Sequence, residues 1–125
     1  MDIPLNTTRK LTIKVEEKDT ALAHGSGSVN VFATPAMVAL MENAARQSVQ
    51  AFLNEGDTTV GTEITVKHIK ATAVGQNVEA RAVLTEVDGR KLKFTLEAFD
   101  DQDRIGFGTH TRYIVNEARF MEQIT

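Results

Sequence analysis

The chain has 125 residues, a length that fits one hydrophobic core, and we expect residues 1–125 to form a single domain. Its 42% hydrophobic and 25% charged residues are ordinary for a folded protein and argue against disorder. A formal net charge of -3 gives no long-range attraction to phosphate backbones, so nucleic acid is not an expected partner.

The chain contains no Cys, which excludes thiolate nucleophiles and thiolate metal sites and fits a reducing compartment. The N-terminus "MDIPLNTTRK" lacks the apolar core of a signal peptide. No apolar run approaches the roughly 20 residues of a membrane span. We therefore expect a cytoplasmic protein with no membrane partner.

The first predicted element is a strand at about residues 9 to 17, where Leu11, Ile13 and Val15 alternate with charged side chains. The segment that follows, "KDTALAHGSGSVN", is rich in Gly and Ser and is expected to be a loop.

A long helix is predicted next, because apolar residues recur at three- and four-residue spacings. Its buried face is expected to contain Met37, Leu40, Met41, Ala44, Ala45, Ser48 and Phe52. Thr34 is expected to be the N-cap, with its hydroxyl accepting from a backbone N–H, and Pro35 suits the first helical position. The helix is expected to end at "NEGD", with Gly56 in the left-handed cap.

Four strands are predicted after the helix, because the period returns to two. Their inward-facing residues are expected to be Val60, Thr62, Ile64, Val66 and His68, then Val78, Ala80, Ala82 and Leu84, then Leu92, Phe94, Leu96 and Ala98, and last Ile105, Phe107, Thr109, Thr111 and Tyr113. The links "VGQN", "VDGR" and "DDQDR" are short, so each strand is expected to pair antiparallel with its sequence neighbour.

The expected class is therefore α+β, with a five-stranded antiparallel sheet and one long helix on one face. One helix covers little area, and the sheet leaves two edges exposed. We expect pairing with another copy to complete the burial, as a homodimer or a dimer of dimers.

Glu42 and Thr34 are the first candidates for chemistry. They are eight residues apart, which places them on roughly the same side of the helix. Because burying an unpaired carboxylate is costly, Glu42 is either a charge at the helix flank, paired with Arg46 for example, or a functional group. Capping alone would explain Thr34, but a helix N-terminus is also suited to hold an oxyanion or orient a water molecule.

His68 and Gly61 are further candidates. His68 shares its parity with Ile64 and Val66, so it is expected to face the helix, where it is either a structural residue or a base near neutral pH. Gly61 interrupts a strand, which is typical of a place where a ligand approaches the backbone. His24 in the loop and His110 on the opposite parity of the last strand are less specific.

Other chemistries lack their motifs. The sequence has no Gly-x-Ser-x-Gly elbow, no P-loop and no dinucleotide fingerprint, since "GSGS" lies several residues before the helix. It also has no HExxH or similar spacing for zinc. We expect no metal and no cofactor.

The order of strand, long helix and four strands, with "ATPAMVALMENAA" and "VGTEITVKHIKATAVG", resembles the hotdog-fold acyl-CoA thioesterases from about residue 9 to 119. It is most similar to the fluoroacetyl-CoA thioesterase group. The resemblance implies a hotdog fold and hydrolysis of an acyl-CoA thioester to free acid and coenzyme A, with Thr34, Glu42 and His68 as catalytic residues. It also implies that the Gly61 N–H lies near the thioester carbonyl and that Arg112 lies near the coenzyme A end.

The segment before the helix departs from this group. The fluoroacetyl-specific enzyme carries lid phenylalanines there, whereas "AHGSGSVN" has no aromatic residue before Phe32, so we expect an ordinary acyl-CoA substrate. A non-catalytic acyl-CoA-binding or sensing module is the alternative, and it would hold acyl-CoA without turnover. A hotdog hydratase would consume enoyl-CoA without releasing thiol, but the Asp of its Asp-His pair is not found in the corresponding stretch.

Overall fold

Five strands and one long helix form most of the computed structural model, which describes residues 2–125. The strands are β1 (Thr8–Lys14), β2 (Asp57–His68), β3 (Asn77–Asp88), β4 (Lys91–Phe99) and β5 (Arg104–Asn116). The helices are α1 (Ala21–His24), α2 (Thr34–Gln50) and α3 (Glu117–Ile124), and one 3-10 turn occupies Glu17–Asp19. All strand pairs are antiparallel, which confirms the predicted α+β class.

The strand order in the sheet is β1-β3-β4-β5-β2, so β1 and β2 are the edges. The predicted β3–β4 and β4–β5 pairs are confirmed. The prediction that β2 pairs with β3 is wrong, because β2 pairs with β5. The two strands lie roughly 14 Å apart across the sheet, and residues 69–76 are long enough in extended form to cross that distance.

Helix α2 packs across one face of the sheet. The predicted buried face is confirmed for Met37, Leu40, Met41, Ala44, Ala45 and Ser48. Phe52 is instead 41% exposed, because the helix ends at Gln50. Gly56 is not the helix cap: Ala51 holds that position in a right-handed conformation, and Gly56, with φ of 86°, lies in the turn before β2.

The prediction that Thr34 is the N-cap of α2 is wrong. Ala33 occupies the cap with φ of -77° and ψ of 140°, and Thr34 is the first helical residue. Backbone hydrogen bonds of 2.9 Å from Phe32 to Thr72 and from Ala33 to Asp19 hold this extended approach to the helix. The Thr34 hydroxyl is therefore not used for capping.

The segment between β1 and α2 is more regular than the predicted loop, and β1 ends at Lys14 rather than near residue 17. Helix α1 begins after Thr20, whose hydroxyl accepts from the Ala23 N–H at 3.2 Å. It ends at Gly25, which has φ of 69°. Short-range sequence patterns did not indicate this one-turn helix.

A bulge between Gly61 and Glu63 shifts the alternation within β2. After the bulge, Ile64, Val66 and His68 face α2 as predicted. Before it, Gly61 pairs with Arg112 and takes the helix-facing side, so the predicted inward positions of residues 60 and 62 are wrong.

The predicted inward face of β5 is wrong from Phe107 onward, although Ile105 is buried in the core as predicted. The residues paired with the buried side of β4 are Gly106, Gly108, His110 and Arg112. Apolar periodicity failed here because small and polar residues face α2: a Cβ at Gly106 would lie 2.5 Å from the Met37 sulfur, so the helix leaves no room for a side chain. Among the helices of residues 2–125, none combines the length and apolar character of a membrane span.

Candidate active site

Thr34 and His68 meet where the start of α2 lies against the end of β2. The Thr34 Oγ1 and His68 Nδ1 atoms are 2.8 Å apart, a hydrogen-bond distance. Phe32, immediately before the helix, packs edge-on against the imidazole with 6.3 Å between ring centroids. This hydroxyl–imidazole pair arises because Thr34 is not the helix cap.

The His68 ring is half-buried. Burial lowers the pKa of His68 below its ordinary value, although the nearby backbone of Lys70 acts in the opposite direction. Within residues 2–125, its Nε2 atom is buried without a hydrogen-bond partner. The ring is therefore mainly neutral near pH 7, and a neutral imidazole is able to accept a proton.

An open groove of about 380 Å³ lies beside this pair. Thr34 and His68 line it together with apolar residues from the segment before α2 and from the end of β2, including Val29, Val31 and Ile69. The groove is large enough for a small acyl group.

Glu42 belongs to a second group of side chains, two turns further along α2. Its Oε2 atom lies 4.0 Å from Nη1 of Arg112, and its side chain is 40% exposed. The alternative of an ion pair with Arg46 is not found, because the Arg46 guanidinium binds Asn43 Oδ1 at 2.7 Å and 3.2 Å.

Arg112 is buried under α2, with only 6% of its surface exposed. Its Nε donates to Thr59 Oγ1 at 2.7 Å and its Nη2 donates to the Thr59 carbonyl at 2.9 Å. Burial lowers the pKa of Arg112 while Glu42 raises it, and a guanidinium stays charged near neutral pH.

Gly61 lies where these side chains converge. A Cβ at this position would be 3.0 Å from Glu42 Oε2, 3.1 Å from His110 Cε1 and 3.2 Å from Arg112 Nη1. Any side chain at Gly61 would therefore press on all three, which explains glycine in this strand.

His110 is a member of this group that the sequence analysis set aside. It is 2% exposed, and it contacts both Arg112 and the Glu63 carbonyl. The sequence analysis missed His110 because the buried face of β5 is opposite to the one predicted from apolar residues. The only sequence signal was its spacing of two residues from Arg112.

The five predicted site residues thus form two groups, Thr34 with His68 and Glu42 with Gly61 and Arg112. No hydrogen bond or ion pair within residues 2–125 joins the two groups directly. Thr34 and Glu42 are eight residues apart on one helix, which corresponds to about 12 Å along its axis.

The family model described as fluoroacetyl-CoA-specific thioesterase matches residues 15–118. The chain belongs to this family. A fluoroacetyl-CoA thioesterase from Streptantibioticus cattleyicolor is 39% identical over 94 residues, which is 75% of this chain and 68% of that protein. Family membership confirms the resemblance drawn from the sequence and the prediction of a thioester hydrolase.

Solved structures agree with the fluoroacetyl-CoA-specific thioesterase family. The fluoroacetyl-CoA thioesterase FlK has a TM-score of 0.93 at 30% identity, over 99% of this chain and 96% of that one. A thioesterase superfamily member from Thermus thermophilus has a TM-score of 0.91 at 25% identity, over 98% and 91%. A hot-dog-like protein from Thermanaerovibrio acidaminovorans, with a TM-score of 0.88 at 21% identity over 97% and 90%, shows the same fold. The predicted hotdog fold is confirmed.

Proposed function

We propose that the protein hydrolyses an acyl-CoA thioester to free acid and coenzyme A, with Thr34, Glu42 and His68 as catalytic groups. Membership of the thioesterase family supports the reaction class. The contact between the Thr34 hydroxyl and the neutral His68 imidazole at the edge of a groove is the observation that carries the assignment of residues.

In this proposal, Glu42 acts as general base on a water molecule or attacks the thioester carbonyl itself. The Gly61 N–H stabilises the charge that develops on the carbonyl oxygen. The carbon–sulfur bond of the thioester breaks, and the sulfur leaves as coenzyme A thiolate. His68 acts as acid and base in the proton transfers, and Thr34 orients the water. Heavy oxygen from labelled water in the Glu42 side chain after one turnover shows that water attacked a Glu42 anhydride and so identifies the covalent route.

We propose an ordinary acyl group rather than fluoroacetyl as the substrate. The outer wall of the groove contains Ser26, Gly27 and Val29, and no aromatic side chain comes from this stretch. Phe32 packs against the His68 imidazole and is 1% exposed.

The proposed cytoplasmic location stays a prediction.

We further propose a homodimer that forms along the edge strand β2. The other edge, β1, is short and carries Arg9, Lys10 and Lys14, a composition that protects an edge from pairing. Strand β2 is 12 residues long, and no strand of residues 2–125 pairs with its outer edge. Pairing with a second copy would bury this edge, and dimers could then pair further.

Such a dimer would complete the site. Gly61 and His68 are seven residues apart on β2, about 23 Å in an extended strand, so one copy holds them apart. Antiparallel pairing of two β2 strands, centred on Thr65, would set Gly61 opposite His68 of the second copy, because the bulge between Gly61 and Glu63 takes up one residue. Each thioester would then meet Glu42 of one copy and the Thr34–His68 pair of the other.

The test is thiol release from a panel of short, medium, aromatic and fluoroacetyl coenzyme A esters. Because the chain has no Cys, a thiol-reactive dye detects only released coenzyme A. We expect Glu42→Gln to lower kcat by roughly 100-fold or more, the usual contribution of a general base. Glu55→Gln, at an exposed turn residue, is the matched control and should act as wild type. Binding of acyl-CoA without any release would support the sensing module instead.

A further inference from the structure

The contacts of His110 determine which of its nitrogens carries the proton. Its Nδ1 atom lies 2.8 Å from the Glu63 carbonyl oxygen, which is only able to accept, so Nδ1 donates. Its Nε2 atom lies 3.1 Å from Arg112 Nη1, which is only able to donate, so Nε2 accepts. Both contacts are satisfied by the neutral Nδ1–H tautomer and by no other form of the ring.

The surroundings favour this neutral form. Burial lowers the pKa of His110, and the charge of Arg112 lowers it further, while the Glu63 carbonyl and Glu42 act in the opposite direction. A protonated ring would turn an Nε2–H toward an N–H of the guanidinium, which would be repulsive. His110 is therefore a fixed acceptor beneath Arg112.

This acceptor gives the third nitrogen of the guanidinium a hydrogen-bond partner. Thr59 accepts hydrogen bonds from Nε and Nη2 of Arg112, and His110 accepts one from Nη1. Because the guanidinium is planar and rigid, partners at all three nitrogens fix its plane and direction. Nη1 is also the atom that faces Glu42 Oε2, at 4.0 Å, so its direction determines where the positive charge meets the carboxylate.

We infer that His110 is a positioning residue, whose Nε2 holds the Arg112 guanidinium in place against Glu42. This inference rests on the proposed role of Glu42 in hydrolysis. His110 itself lies beneath Arg112 and acts through it. Positioning of the guanidinium requires the hydrogen-bond acceptor at Nε2 and does not depend on the volume of the ring.

Ring packing gives the competing structural role. The imidazole lies 6.1 Å from the Phe94 ring, at an interplanar angle of 33°. Packing would need a side chain of similar volume but no acceptor. Two substitutions separate the roles, because the Asn amide reaches the position of Nδ1 and the longer Gln amide reaches the position of Nε2.

His110→Asn keeps a donor for the Glu63 carbonyl but has no acceptor for Arg112. We expect this variant to lower kcat by roughly tenfold or more, as displacement of a catalytic group does. His110→Gln, which keeps the acceptor, should retain several times more activity than the Asn variant. KM should change little in either variant. The melting temperature should fall in both, because both lose the packing of the imidazole ring. Equal losses of kcat in the two variants, or a larger loss in the Gln variant, would overturn the positioning role.

Two further measurements complete the test. In an Arg112→Ala background, the step from His110 to Asn should cost little additional activity, since the group that it positions is gone. An undiminished loss there would contradict the inference. Nitrogen NMR of the folded wild type should show the neutral Nδ1–H tautomer of His110, and the opposite tautomer or a charged ring would also overturn it. Full activity of Glu42→Gln in the same assay would instead refute the proposed role of Glu42, on which this inference rests, and absence of thiol release from wild type would refute the proposed hydrolysis.

Discussion

The Thr34 hydroxyl is not used for capping because Ala33 occupies the cap position of the helix. With the cap position one residue earlier, the hydroxyl is free to meet the imidazole at 2.8 Å. The same displacement leaves the cap without a side-chain hydrogen bond. Thr34, a residue type well suited to cap a helix, therefore has its hydroxyl in the candidate active site.

The pH dependence of hydrolysis should report the lowered pKa of His68. Burial favours the neutral ring, so the base form persists as the pH falls and is lost only below the ordinary value of 6.5. We expect the acid limb of kcat/KM, measured across about pH 5 to 8, to have its midpoint below 6.5. NMR titration of the imidazole should give the same midpoint.

The control for this profile is His24→Gln, which changes an exposed histidine in α1 and should leave the midpoint unchanged. A His68 ring that titrates above 6.5 would show that hydrogen bonding to the ring outweighs burial.

Some site residues could be predicted from the sequence and others could not. Glu42 and His68 stand out because a charge or an imidazole interrupts an apolar face. His110 and Arg112 escaped notice as a buried pair, because the face of β5 that they occupy contains glycine and polar residues. Only the packing of α2 against that face reveals which side of the strand is buried.

Asp100 holds the turn between β4 and β5 to the segment that follows β2. Its side chain has no exposed surface. It accepts from the backbone N–H groups of Gln102 and Asp103, each at 2.8 Å, and from Lys70 Nζ and Thr72 Oγ1, each at 3.0 Å. Burial would raise the pKa of Asp100, but these four hydrogen bonds lower it from 3.8 to about 2.

We expect Asp100→Asn to lower the free energy of unfolding by about 1 to 3 kcal/mol at neutral pH, since it weakens hydrogen bonds to a buried charge. The wild-type advantage should be full above pH 3.8 and should disappear as the pH falls toward 2, because the folded-state pKa is the lower one. Urea unfolding of both proteins at several pH values measures this difference.

Asp103→Asn is the matched control, because its carboxylate is 62% exposed and contacts the same Lys70. We expect a change below about 0.5 kcal/mol for this surface pair. A difference between wild type and the Asp100 variant that stays constant down to pH 2 would contradict the proposed linkage.

Periodicity predicted the existence of the long elements but not the buried face of each, and it missed the short helices. Helix α2 and strand β4 keep one period along their length, and β3 alternates up to Leu84, before the irregularity between Leu84 and Glu86, so their buried faces could be predicted from the sequence. Strand β2 changes phase at a bulge, which apolar spacing does not report. Helix α1 is a single turn and α3 has no buried residue, so neither produces a helical pattern strong enough to predict.

A dimer with shared sites makes a distinct prediction for mixtures. Glu42→Gln and His68→Gln should each be nearly inactive, but mixing them with subunit exchange should restore about a quarter of wild-type activity. Random pairing makes half of the dimers mixed, and each mixed dimer has one site with both wild-type residues. Thiol release after mixing, together with a measured mass of two chains, tests this.

The control mixture combines Thr34→Val with His68→Gln. These residues would reach each site from the same copy, so every site in a mixed dimer lacks one of them and activity should stay low. Recovery in this mixture, or none in the first, would contradict the shared site.

The groove is built by two parts of the chain with separate duties. Its outer wall comes from residues 20–31, which contribute none of the proposed catalytic groups and contain two isolated bridges, Thr20 with Phe32 and Val31 with Ala73. The proposed catalytic groups come from α2 and β2. We therefore expect substitutions in this wall to broaden or narrow the range of acyl groups without changing the chemistry, so that selectivity is able to evolve within one short segment.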